Sequence, residues 1–397
     1  MSTTLTHPLS FDDTAIAFAP KSDFELRKMQ MLFGAMNNDF LVKTGTGLVQ
    51  TALQWRLPVR FLIKKTLFQQ FCGGESIEDC QPVIQRLGQY HIGTILDYSV
   101  EGKKTDKGFD ATTQEILRTI AKAAKNPQHI PFCVFKITGI ANTDTLAKLH
   151  AQQSLTTAET AAWEKVQQRV ALICQAAHQA KVRIFVDAEE SWLQNPIDTL
   201  VQQMMEKYNR EQAIVYNTYQ MYLHSTLAKL KTAILAAQQQ GYFLGAKVVR
   251  GAYMEKERER AAEMGYLDPV QPDKSATDQD FDQALQHCLQ HINHVALCAG
   301  THNEASTYQL VKWMEEKEIA AQHPHLFFAQ LYGMSDHISY NLAKAGFNVA
   351  KYVPYGPVEA VMPYLFRRAA ENTAVAGQSS RELSLINREI ARRKKRT

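Results

Sequence analysis

Arg367 and Arg368 stand side by side in the stretch KYVPYGPVEAVMPYLFRRAAEN (351–372). Two adjacent guanidiniums suit a carboxylate or a phosphate, which they grip with parallel charge-assisted hydrogen bonds. Tyr364, Arg367, Arg368 and Glu371 fall at i, i+3, i+4 and i+7, one face of an α-helix, and that face is polar and aromatic instead of apolar. Gly356-Pro357 opens the helix, because a proline at the first helical position loses no hydrogen bond, and Glu359 adds negative charge to the N-terminal turn. Pro363 removes an internal hydrogen bond just before the tyrosine and predicts a bend. Taken alone, an Arg-Arg pair also reads as a solvated, salt-bridged helix face. The neighbouring elements have to decide.

Short runs rich in β-branched and aromatic residues lie at 91–99, 131–139, 181–189, 212–220, 243–253, 294–302, 326–333 and 348–356. Each is followed by a helical pattern: 110–124, 157–180, 196–208, 223–240, 277–291, 303–317, 336–345 and 357–372. Eight consecutive strand-helix units predict an α/β fold, a closed (βα)8 barrel of the TIM type; an open doubly wound sheet offers fewer units and a glycine-rich first turn. Such a barrel does its chemistry at the C-terminal ends of its strands. Lys136, Asp187 with Glu189 and Glu190, Asn217 and Tyr219, Lys247 and Arg250 with Tyr253, Thr301-His302-Asn303, Gln330 and Tyr352 all fall there. One late-strand charge is often half of a structural ion pair, but their recurrence along the chain predicts a single polar mouth. Lys136, Lys247, Arg250, His302, Arg367 and Arg368 against Asp187 and Glu371 favour an anionic small molecule and a phosphate-bearing cofactor. No Ser, Cys or Thr stands beside a convincing base, which argues against hydrolysis. His287, His291 and His294 lie at the opposite rim, so no metal site is expected.

At 397 residues, 45% of them hydrophobic and 21% charged, the chain has the composition of a folded protein. The expected domains are an N-terminal helical arm (1–88), the barrel (89–374) and a basic C-terminal tail (375–397). Residues 388–397 hold six of the 44 basic residues and one of the 40 acidic ones, so the net charge of +4 becomes −1 for everything before them. Arg56, Arg60 and Lys64 make a basic stripe on the arm, near a break at Pro58. Packing of the arm and a solvated tail are the plain readings; a peripheral contact of both with an anionic membrane surface is the sharper one. The six cysteines form no CxxC, no apolar run reaches about 18 residues, and residues 1–20 lack the pattern of a signal peptide. A cytoplasmic location is expected, with the inner face of the membrane as the place of any peripheral contact.

The motifs DYSVEG (97–102), FKITG (135–139), FVDAEES (185–191), YNTYQMYL (216–223), KVVRGAYMEKERERAAEMGYLDP (247–269), THNE (301–304), FAQLYGM (328–334) and YVPYGPVEAVMPYLFRRAAEN (352–372) occur in this order. With them the chain resembles the FAD-dependent proline dehydrogenases, above all the monofunctional forms similar to the mitochondrial enzyme. The resemblance implies a (βα)8 barrel whose last helix is displaced over the mouth, and non-covalent FAD as cofactor. It implies oxidation of L-proline to Δ1-pyrroline-5-carboxylate by hydride transfer to the flavin N5, the first step of proline catabolism. By resemblance, Asp187 and Tyr253 are catalytic-site members, Lys136, Arg367 and Arg368 hold the substrate carboxylate, and Ala252, Leu331, Tyr352 and Tyr364 wall the pocket. FAD contacts carry over onto Asn217, Lys247, Val249, Arg250, Gly251, Thr301, His302, Asn303, Gln330 and Glu371, and onto Lys274 and Thr277.

The same resemblance implies a quinone as electron acceptor and a separate pyrroline-5-carboxylate dehydrogenase to receive the product. The alternatives are a hydroxyproline dehydrogenase, a flavin-free phosphate-binding barrel isomerase or lyase, and a nucleic-acid binder led by the tail. Basic charge confined to the last ten residues argues against nucleic acid as a partner.

Overall fold

The eight predicted runs are strands: β1 Ile92–Tyr98, β2 Phe132–Lys136, β3 Arg183–Asp187, β4 Val215–Gln220, β5 Leu244–Val249, β6 Val295–Gly300, β7 Leu326–Leu331 and β8 Val349–Tyr355. The computed structural model, which describes residues 9–38, 60–99, 105–374 and 378–396, joins them in sequence order into a closed barrel with parallel pairing. Four rings meet within it. Phe132 stacks on Phe185 with centroids 4.4 Å apart and takes Tyr216 and Phe327 edge-on at 5.5 and 4.8 Å. Strand side chains alternate between faces, so these rings set the parity of β2, β3, β4 and β7. Lys136, Asp187, Gln220 and Leu331 share the inward face, whereas Asn217 and Gln330 lie on the opposite one. Lys247 of β5 joins the interior, its ammonium 5.2 Å from the Phe185 ring.

Local chemistry explains where the helices begin. Ser22 and Thr156 form capping boxes with Glu25 and Glu159, and Asp273 and Asn303 accept the backbone N–H of Ala276 and Ser306. Within the barrel sequence, the helices Thr143–His150 and Met254–Met264 were not expected. The second has the sequence MEKERERAAEM and buries only Glu257 and Ala261, too little apolar surface to leave a period in the sequence. The helix Val358–Ala374 continues through Pro363.

The chain divides into two compact units, one built on Gly102–Ala329 and the other on Leu5–Glu101 with Gln330–Thr397. In the second unit the stretch expected to be a solvated tail is a helix, Gln378–Lys394. Its Leu385 and Ile386 are buried against Phe33, Phe71, Val361 and Leu365. Arg388 reaches Asp12 at 2.8 Å, and Arg393 reaches Asp23 and the Lys21 carbonyl, each at 2.8 Å. The fully buried Glu389 binds both Arg392 and Arg393 at 2.7 Å. Most of the run's arginines are therefore engaged with protein groups, which corrects the reading of a free basic tail; a charge count cannot see the apolar side of an amphipathic helix. Of the arm's basic stripe, Lys64 pairs with Glu75 at 2.5 Å, while Arg56 and Pro58 lie outside the described residues.

The same unit contains a buried ionic cluster. Lys351 of β8, with no exposed surface, lies 2.9 Å from Asp336 and donates to the carbonyls of Met334 and Leu331. Glu382 of the C-terminal helix accepts the Ser335 N–H. Gly333, with φ 79°, passes so close to Gln70 that a Cβ would stand 2.1 Å from its carbonyl oxygen. Together these contacts clamp the segment that follows β7. Burial pulls the Lys351 ammonium below its ordinary pKa against the attraction of Asp336. Desolvation pushes Asp336 up, but Lys351 and Lys21 outweigh it and hold the carboxyl below the usual range.

Lys351→Met leaves the buried Asp336 with the more distant Lys21, 3.7 Å away, and should cost up to about 3–5 kcal/mol in urea unfolding. Replacing both partners, Lys351→Met with Asp336→Leu, should recover most of that loss. Equal losses in the single and double variants would show that Asp336 does not depend on this cation.

Candidate functional site

In the unit built on Gly102–Ala329, the ends of β3 and β5 bring Asp187 and Lys247 into a salt bridge across the inner face of β4, with side chains 14% and 7% exposed. Two residues further on, Glu189 is 3% exposed. Its Oε1 accepts from Thr138 Oγ1 at 2.5 Å, and its Oε2 accepts from the Tyr253 hydroxyl at 3.2 Å. Burial pushes the Glu189 carboxyl up to about 7, opposed by the nearby Lys136 and the Thr138 hydroxyl and assisted by Glu190 and Asp187. Lys136, half-buried at the end of β2, shares the inward face with Asp187. Sequence reading placed Glu189 at the strand end with Asp187 and Glu190 but gave it no part in catalysis or binding.

Arg250 forms a second centre. Its guanidinium reaches Asp278 at 2.5 Å, Thr301 Oγ1 at 2.7 Å and Ser306 Oγ at 2.9 Å, and it lies 4.2 Å over the Phe281 ring. Lys274 also binds Asp278, so this carboxylate draws two of the predicted cofactor cations together. Desolvation raises Asp278, but Lys274 and Arg250 hold its pKa below the usual range. Val249 and Gly300 face each other across β5 and β6: a methyl on Gly300 would stand 2.9 Å from Val249 Cγ1. Ala252 N–H donates to Gln220 Oε1 at 3.3 Å, and His302 sits half-buried between Thr301 and Asn303.

Other predicted cofactor residues also make contacts within the scaffold. Asn217, facing away from the barrel interior, binds Asp198 of the helix Ser191–Tyr208 at 2.9 Å. Its inward neighbour Gln220 takes the place at the strand end and also donates to the Glu189 carbonyl at 2.8 Å. Sequence reading missed Gln220, and the parity of the aromatic Tyr216 would have found it. Asn303 caps its helix, and Thr277 Oγ1 donates to the Asp273 carbonyl at 3.2 Å. Gly251 has φ 132° and lies flat against Tyr222, where a Cβ would stand 1.6 Å from the ring.

In the other unit, Arg368 is 7% exposed and lies 5.1 Å over the Tyr364 ring one turn earlier, as the i, i+4 spacing predicts. Arg367 is half-buried beside it, and the Glu371 side chain lies outside the described residues. Leu331 packs against the cluster that includes Tyr364. Lys351 meets Asp336 of the surrounding helix, so Tyr352 takes the opposite, inward parity. Gln330 instead accepts from Ser339 Oγ at 2.8 Å, in the layer between strand and helix. Asn217 and Gln330 thus lie on the outward parity of their strands: closeness to a strand end does not determine the face. Among the described residues no group of three or more His, Cys, Asp or Glu is placed to hold a metal, and no helix is long and apolar enough to cross a membrane.

Residues 80–381 match the family described as Proline dehydrogenase. The chain is 34% identical over 427 residues to the mitochondrial proline dehydrogenase 1 of Dictyostelium discoideum, covering 96% of this chain and 74% of that one. It is 39% identical over 229 residues to the human mitochondrial proline dehydrogenase 1, covering 57% of this chain and 38% of that one. Its fold is similar to proline utilization A (PutA) from Bdellovibrio bacteriovorus, with TM-score 0.71 and 17% identity over 94% of this chain and 40% of that one. The names of the two sequence relatives point to mitochondria and correct the cytoplasmic location expected from the sequence.

Gly251→Ala adds a methyl group within the Tyr222 ring and places an alanine at positive φ. Overpacking and backbone strain should together cost about 2–5 kcal/mol, read as a lowered urea midpoint. An unchanged midpoint would show that Tyr222 yields freely.

Proposed function

The chain belongs to the proline dehydrogenase family, and on that premise we propose that it oxidises L-proline to Δ1-pyrroline-5-carboxylate with non-covalent FAD, the first step of proline catabolism. The observation that carries this reading is the family match over residues 80–381, a span that holds every residue given a role. A quinone is the proposed electron acceptor, and a separate pyrroline-5-carboxylate dehydrogenase the proposed recipient of the product.

The donor set fits a flavin nucleotide. Lys247, 6% exposed, and the half-buried Arg250 bring positive charge to strand ends, Gln220 offers an amide, and Gly300 leaves its strand end without a side chain. Val249, Gly251, Thr301 and His302 line the same strand ends. Bound there, FAD would supply the hydride acceptor. Arg367, Arg368 and Lys136 are proposed to grip the substrate carboxylate, which fixes the ring in one orientation and lowers the entropic part of the barrier. Asp187 holds Lys247 in place. Tyr352, Tyr364, Leu331 and Ala252 form the proposed pocket wall, which presents the ring carbon next to nitrogen and excludes water. The tyrosine at 352 favours proline over hydroxyproline, because an added hydroxyl has to displace a ring or lose its hydration.

Purified protein is expected to be yellow, with the absorbance of an oxidised flavin; folded protein that stays colourless after addition of FAD overturns the reading. Arg368→Met should lower kcat/KM on proline by about 100-fold, as expected for loss of a charged hydrogen bond to substrate. Tyr352→Ser should reduce activity on proline and narrow a preference over hydroxyproline of at least about tenfold. Equal losses on both substrates would remove Tyr352 from the specificity wall.

A further inference from the structure

Proline's ring nitrogen carries a positive charge near neutral pH, and its lone pair has to be freed before hydride can leave the neighbouring carbon. Something must take a proton. Lys136 is a cation, and Asp187 is engaged by Lys247. Glu189 is different: its two oxygens meet hydroxyls, Thr138 on Oε1 and Tyr253 on Oε2. We propose that Glu189, acting through the Tyr253 hydroxyl, takes up the proton that the substrate amine gives up. This rests on the proline-oxidising reading above, with Tyr253 as a member of the catalytic site, and adds to it that the substrate amine meets the Tyr253 hydroxyl.

The step is a two-bond relay. While Tyr253 donates its proton toward Glu189 Oε2, a lone pair on the phenolic oxygen accepts from the substrate N–H. The N–H bond breaks as a new O–H forms on Tyr253, and the former Tyr253 O–H breaks as one forms on Glu189. Nitrogen loses one proton, Glu189 gains it, Tyr253 ends as it began, and no electron changes owner.

The surroundings suit both uptake and release. Burial raises Glu189 to about 7. The charged groups facing it are Lys136 from β2, which opposes the rise, and Asp187 and Glu190 from its own segment, which add to it. Both acids are themselves partnered, Asp187 by Lys247 and Glu190 by Lys256 at 2.9 Å. Gln194 accepts the Glu189 N–H at 2.8 Å and Gln220 donates to its carbonyl at 2.8 Å, so the backbone is pinned on both sides. Thr138 occupies Oε1, which leaves Oε2 as the oxygen that takes the proton.

Below about pH 7 Glu189 already carries a proton and cannot accept another, so kcat/KM on proline should fall on the acid side of that pH. Glu189→Gln keeps the shape and removes the basicity. It should lose about 100-fold in kcat/KM, mainly through kcat, and lose the acid limb; Tyr253→Phe should do the same. In substrate-free protein, infrared difference spectra should show a carboxylic-acid band that titrates near neutral pH in wild type and is absent from Glu189→Gln. Glu189→Gln activity within a few-fold of wild type, a retained acid limb, or a band that does not depend on Glu189 overturns the relay while proline turnover by wild type stands. A wild type that binds FAD but does not oxidise proline overturns the reading beneath and the relay with it.

Discussion

A carboxylate held in a barrel mouth needs a cation or has to give up its charge. Asp187 and Lys247 resolve this for each other across the inner face of β4, and the electrostatics of the neighbourhood follow from that pairing. Glu189 beside them is buried with hydroxyl partners on both oxygens, and its burial raises it toward neutrality. Because Arg250 is committed to Asp278, Thr301 and Ser306, the excess of cations counted along the sequence shrinks in space. What remains is a site in which each charge has a defined direction, and that serves orientation better than a diffuse positive field would.

The second unit meets the same problem with deeper burial. Lys351 has no exposed surface and is satisfied by one carboxylate and two carbonyls. Glu382 arrives from the far end of the chain to hold the Ser335 N–H, its pKa raised by burial against the pull of His337. These groups hold the turn after Leu331. A residue proposed to touch substrate thus inherits its position from charges that do not.

The barrel was legible because eight short β-like runs alternated with helical periods, and that pattern survives in a single sequence. Face was not legible in the same way. Asn217 and Gln330 were chosen by position and chemistry, and their strands turn them outward to Asp198 and Ser339, while Gln220 on the inward face was passed over. Parity needs one fixed point per strand, and the stacked rings of Phe132, Phe185, Tyr216 and Phe327 become fixed points only once their contacts are seen. Burial was hidden as well: Glu189 and Glu190 are adjacent identical residues, and only the fold distinguishes a carboxyl raised toward neutrality from one paired with Lys256. The C-terminal helix was misread because five consecutive basic residues outweighed the apolar spacing of Leu385 and Ile386.

The second unit is assembled from both ends of the chain, Leu5–Glu101 and Gln330–Thr397, with Gly102–Ala329 between them. A ribosome adding about 5–20 residues per second needs roughly 10 to 50 s to cross that interval. Throughout it, Leu26, Met29 and Phe33 have emerged without Val361, Leu365, Leu385 and Ile386, the groups that finally cover them. The acidic Asp12 and Asp23 likewise wait for Arg388 and Arg393. The nascent chain therefore carries an uncovered apolar surface through most of its own translation, and its yield in a cell depends on how well chaperones shield the first hundred residues until the last seventy arrive.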